Sequence, residues 1–147
     1  MSADSVFGIA SLVVLPAWIL LAAASTWRWT EPVVRGMITL LALVYLALVV
    51  LYLPEAQGGF SSLAAVSQLF SNPYLLLAGW IHYLAFDLFV GSWQVGDARR
   101  LGISRLAVVP CLVFTFLLGP IGWLCYLMLR AVIGQQPGPE EASGASA

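Results

Sequence analysis

The sequence predicts an all-α polytopic membrane protein, a bundle of four transmembrane helices, and three observations predict it. Hydrophobic residues make up 61% of the 147-residue chain and charged residues 9%, against about 25% charged in an ordinary soluble domain. Mean hydropathy is +0.95, and a small soluble domain keeps too much surface in water to hide that much apolar material. Four apolar stretches reach the roughly 20 residues a helix needs to cross a bilayer core. The arginines fall between these stretches, in alternate loops.

The same arithmetic excludes several functions. Formal net charge is −1, so no broad basic surface exists and nucleic acid is excluded as a partner. The chain has no lysine, and all six basic residues are arginine. A retinal Schiff base and catalytic lysine chemistry are therefore excluded.

The first span, about residues 5–27, is free of charge and carries Pro16 near its middle. It lacks the basic n-region of a signal peptide and is longer than an h-region, so it reads as a retained helix. The second span, about 34–54, is rich in Leu, Val and Ala. Between spans 2 and 3, Gly58-Gly59, Ser61-Ser62 and Asn72-Pro73 break the apolar run. Phe60, Leu63, Val66 and Phe70 recur there at helical spacing, which suggests a short interfacial helix, with an irregular loop as the alternative. The third span, about 74–96, contains one acid, Asp87. The fourth, about 106–130, carries Gly119-Pro120-Ile121-Gly122 past its middle. Residues 1–133 thus form one transmembrane domain. The Pro/Gly/Ser/Ala-rich tail, 134–147, has the composition of a disordered segment.

Arg28 and Arg35 lie in the first loop, and Arg99, Arg100 and Arg105 in the third. The positive-inside rule puts both loops in the cytoplasm and, with four spans, both termini outside. Arg130 is the exception. The expected location is a bacterial inner membrane, because no transit peptide is evident. Cys111 and Cys125 are fourteen residues apart on the fourth span, roughly 21 Å along one helix. They read as packing residues, with neither a disulfide nor a metal site expected.

The chemistry is on the third span. His82 is the sole histidine, and Asp87 is the one acid deep in a span. An ionised Asp at the bilayer centre costs about 2.5–3.5 kcal/mol on insertion scales. Protonation, a buried polar partner or a cavity must compensate it. Residues five apart differ by roughly 140° around a helix. His82 therefore shares a face with Phe86 and Phe89, while Asp87 shares one with Trp80, Tyr83 and Gly91. Both polar residues read either as hydrogen-bonded glue between helices or as functional groups. Pro16 and Pro120 each free a backbone carbonyl, and with His82 and Asp87 they outline an intramembrane pocket.

Residues 79–91 (GWIHYLAFDLFVG), 108–127 (VVPCLVFTFLLGPIGWLCYL) and 12–21 (LVVLPAWILL) resemble the abscisic-acid-deficient-4-like family, the neoxanthin-synthase-like membrane proteins. The resemblance implies carotenoid metabolism, with isomerisation of an epoxide to an allene. That reaction needs an acid at the oxygen and a base at the departing proton, and no cofactor. The resemblance casts His82 and Asp87 as the catalytic pair, either one the acid. Trp80, Tyr83, Phe86 and Pro120 would then contact a carotenoid or other isoprenoid arriving from the lipid bilayer. A pigment-binding or assembly subunit of a larger membrane complex, or of a homo-oligomer, is the alternative. In that setting neutral His82 suits an axial ligand role. A transporter or channel is the third class, for which one acid on four spans is sparse.

Overall fold

The computed structural model describes residues 2–133, and every regular element among them is helical. The expected disordered tail lies outside the described residues. Ser2 caps α1 (Ala3–Val13), its Oγ accepting from the Ser5 N–H at 3.2 Å. The ladder breaks at Val14 because Pro16, in the first turn of α2 (Leu15–Ala23), has no N–H to donate. Together α1 and α2 make one apolar stretch of 21 residues, Ala3–Ala23. Helix α3 (Thr30–Tyr52) starts earlier than its hydropathy suggests. Thr30 donates its hydroxyl to the Ala24 carbonyl, and exposed Glu31 and Arg35 pair one turn apart. These groups serve the helix N-terminus, where an acid suits the macrodipole, while breaking the apolar pattern that marks a span.

The short helix between the second and third apolar stretches is α4 (Leu63–Leu69), capped by the Ser62 hydroxyl at 3.1 Å from the Ala65 nitrogen. Helix α5 (Pro73–Arg100) is the longest, with 28 residues, roughly 42 Å. It begins with proline at the first helical position, and Asn72 Oδ1 accepts from the Tyr74 N–H at 2.9 Å. It ends where Gly102, at φ +65°, bonds back to Arg99 and Ile103 bonds back to Ala98. Leu77, Ala78, Ile81, Leu84, Ala85 and Leu88 form its buried stripe. Three stretches, Ala3–Ala23, Thr30–Tyr52 and Pro73–Arg100, are long and apolar enough to cross a membrane.

The expected fourth span, 106–130, is not one helix. It is divided into α6 (Arg105–Leu118) and α7 (Pro120–Ile133), each of 14 residues. Neither reaches the roughly 20 residues a crossing requires. Gly119 between them takes φ +47°, ψ −96°, a conformation open to glycine and strained for other residues. Pro120 cannot donate back into α6, so the hydrogen-bond ladder is interrupted there.

The described chain divides within α5, after Ser92, into two compact units. In the second unit α6 and α7 pack along one another. A Cβ on Gly122 would strike the backbone of Thr115, although residues seven apart in a continuous helix are about 10 Å apart along the axis. Fully buried Gln94 bridges the two helices: its Nε2 donates to Thr115 Oγ1 at 3.0 Å and to the Gly122 carbonyl at 3.3 Å. Further along α7, buried Tyr126 donates to Asp97 Oδ2 at 2.8 Å, and Arg130 Nε lies 3.1 Å from the same oxygen. Partners thus advance from Gln94 to Asp97 on α5 as α7 runs from Gly122 to Arg130. The pair is a helical hairpin with its tip at Gly119-Pro120. The roughly 21 Å that one continuous helix would put between Cys111 and Cys125 therefore does not apply. Both are free thiols.

Asp97 holds two partners and its side chain is only 12% exposed. Asp97→Ala is expected to cost roughly 1.5–3 kcal/mol, the range for hydrogen bonds to a charged group. A thermal melt of the detergent-purified protein measures this, and an unchanged midpoint would contradict it.

Candidate functional site

In the first unit, an apolar pocket of about 580 Å³ is lined from α1 by Phe7, from the segment after α4 by Phe70, and from α5 by Leu76, Leu77, Trp80 and Tyr83. Helical spacing explains the α5 contribution: residues 76, 80 and 83 share a face three to four residues apart. Trp80 is fixed by three contacts. Its Nε1 donates to Ser11 Oγ at 3.0 Å, and its ring lies 5.1 Å from Phe7 and 5.4 Å from Tyr83. Gly79 gives Phe70 its place, since a Cβ there would meet the Phe70 ring at 3.3 Å.

One turn beyond Tyr83, the Asp87 carboxylate is within side-chain hydrogen-bonding reach of the tyrosine hydroxyl. The other carboxylate oxygen, Oδ2, is buried without a hydrogen-bond partner. A buried acceptor left unmatched is uncommon and calls for an explanation. The pocket therefore leads, through Tyr83, to an acid inside an apolar helix. That arrangement can pass a proton between the carboxyl, the phenol and a bound oxygen atom.

His82 stands elsewhere. It is exposed, stacks on Phe86 at 4.5 Å and tilts against Tyr45 at 5.8 Å. It does not line the pocket, and neither does Phe86. Five residues of helix set His82 and Asp87 among different neighbours. Pro120 is the exposed first residue of α7 in the second unit. Of the sequence candidates, the fold gathers Trp80, Tyr83 and Asp87. This pocket lies toward the start of α1 and of α5, and neither Pro16 nor Pro120 lines it. Phe7, Leu76, Leu77 and Gly79, with Ala3, Asp4 and Pro73 at the helix starts, also line it and carry no signal of this in the sequence. Phe70 did carry a signal, its helical spacing with Leu63 and Val66, but that was read as contact with the bilayer surface. Among the described residues, no three His, Cys, Asp or Glu side chains group as a metal site.

Comparison with known proteins gives the chain a family. The ABA DEFICIENT 4-like family model matches residues 5–126. The protein ABA DEFICIENT 4 of Arabidopsis thaliana, a chloroplast protein, is 29% identical over 145 residues, covering 91% of this chain. The chain spans 64% of that relative's length. No solved structure matches. A chloroplast relative lends no support to the bacterial inner membrane expected above. The family match takes in the second and third long apolar stretches, all but the first two residues of the first, most of the pocket lining, Asp87 and most of the hairpin, and the chain belongs to the ABA DEFICIENT 4-like family.

Proposed function

We propose that this chain is a neoxanthin-synthase-like membrane protein that takes the cyclic end of a carotenoid or related isoprenoid into the pocket against Trp80. On this reading α1–α2, α3 and α5 cross the bilayer. The observation that carries it is the joining of an aromatic-walled pocket to an unmatched carboxylate oxygen through one tyrosine. The volume is in the usual range for a ligand site, about 300–1,000 Å³. Aromatic walls suit the hydrocarbon faces of such a ring, while the remaining length of the molecule lies along the helices in lipid. Asp87 and Tyr83 then supply the proton transfers of an epoxide-to-allene isomerisation. One proton goes to the epoxide oxygen as the C–O bond breaks, and one leaves carbon as the new double bond forms. The reaction is an isomerisation with no net oxidation, and it calls for no redox partner.

The test is expression in a host that makes epoxy-carotenoids, followed by chromatography of the membrane extract and of the purified protein. A new allenic product supports catalysis, and co-purified unchanged pigment supports binding without turnover. Gly79→Leu sharpens the result. A leucine there pushes Phe70 into the pocket, so carotenoid retained by the purified protein should fall at least tenfold. Retention equal to the parent would remove the pocket from the proposal.

A further inference from the structure

The hairpin changes which way the chain faces. We infer that α6 and α7 form a re-entrant unit that enters the bilayer and turns back, so that the end of α7 emerges on the same side as the loop after α5. The inference rests on reading the three long apolar stretches as membrane spans and goes beyond any substrate.

Three observations carry it. Each helix has 14 residues, about 21 Å against a hydrocarbon core of about 30 Å. Thr115 and Gly122 meet on either side of the Gln94 amide, so the chain reverses between them. Arg130 returns to Asp97, one turn from the end of α5, within a few residues of where α6 begins. Such a half-crossing is tolerated only where its free backbone groups are matched by protein. Here the turn is closed by its own backbone: the Gly119 N–H donates to the Thr115 carbonyl at 2.9 Å and the Trp123 N–H to the Gly119 carbonyl at 3.3 Å.

Arginine counting agrees. With three crossings, the loop holding Arg28, the start of α3 with Arg35 in its second turn, and the end of α5 with Arg99 and Arg100 share one side. Arg105 starts the hairpin there. In a four-crossing chain Arg130 would be stranded opposite the other five. A re-entrant hairpin brings it back, and all six arginines then lie on the side that the positive-inside rule assigns to the cytoplasm or its equivalent. The start of α1 and the end of α7 then lie on opposite sides, the former outside and the latter inside.

The experiment places an epitope tag in the 147-residue chain at one of three positions: before Met1, after Gly102, or after Ala147. A second loop insertion, after Leu101, covers intolerance at the first. Antibody access is compared in intact and permeabilised bacterial spheroplasts, using protein that stays in the membrane pellet after alkaline carbonate extraction. The loop tag and the C-terminal tag should both need permeabilisation, while the N-terminal tag is reached without it. Loop and C-terminal tags on opposite sides, in pelleted protein, would overturn the inference and leave the substrate reading intact. Release of the protein into the carbonate supernatant would overturn the membrane reading, and the inference with it.

Discussion

Gly122→Ala is expected to destabilise the protein by about 2–3 kcal/mol, the upper range for forcing extra volume into a packed site. The sign makes this substitution informative. Within an uninterrupted helix, glycine costs roughly 0.5–1 kcal/mol relative to alanine, so a continuous fourth span would become more stable. In the hairpin, the added methyl strikes the main chain of Thr115, which no side-chain rotation can move. The two helices must separate, and the Gln94 amide then loses the Gly122 carbonyl it donates to. Gly96→Ala is the matched control. Gly96 is also helical, but a Cβ there meets nothing within 4 Å, so the substitution should be neutral or raise stability. Thermal midpoints of both variants in one detergent separate the two cases. A midpoint for Gly122→Ala at or above the parent's would refute the close approach of α6 and α7.

That glycine also shows where the sequence was legible and where it was not. The three long stretches were readable because lipid imposes a length and a polarity on any helix that crosses it. Their ends were less so. Glu31 and Arg35 give the first two turns of α3 the look of a loop, because they serve the helix terminus and the water outside the bilayer at once. The fourth stretch has the same apolar composition as the others, and hydropathy counts residues without registering direction. Gly119-Pro120 was recognised as a break in the hydrogen-bond ladder. Whether such a break makes a slight kink or a full reversal depends on a tertiary contact, Gln94 to Thr115 and Gly122, that spans 21 and 28 residues of sequence. Arg130 was the one outward sign, an arginine on the wrong side of a four-span count. The site divides in the same way. Helix periodicity separates the His82 face from the Asp87 face, and the structure places the two residues against different rings. The pocket wall drawn from α1 and from the segment after α4 depends on chain folding that no local pattern encodes.

Asp87→Asn is expected to lower carotenoid conversion by at least about 100-fold, since a positioned proton donor or acceptor contributes roughly 10²–10⁴-fold. The amide keeps the shape of the carboxyl and the contact with Tyr83, but it cannot exchange a proton at useful cost. It is also easier to hold in a bilayer, because the insertion penalty of the ionised acid disappears. Yield and melting temperature should therefore stay level or improve while turnover falls, so that lost activity is not mistaken for lost folding. Tyr83→Phe should have a similar effect, since it removes the hydroxyl that links pocket to carboxyl and leaves the ring on Trp80. His82→Gln should cost less than about tenfold on the same scale, because the imidazole is stacked on Phe86 and tilted against Tyr45, away from the pocket lining. The three variants, assayed on one carotenoid substrate in one membrane preparation, decide which face of α5 does the chemistry. Full turnover in Asp87→Asn with loss in His82→Gln would transfer the reaction to the His82 face and leave the pocket a binding groove alone.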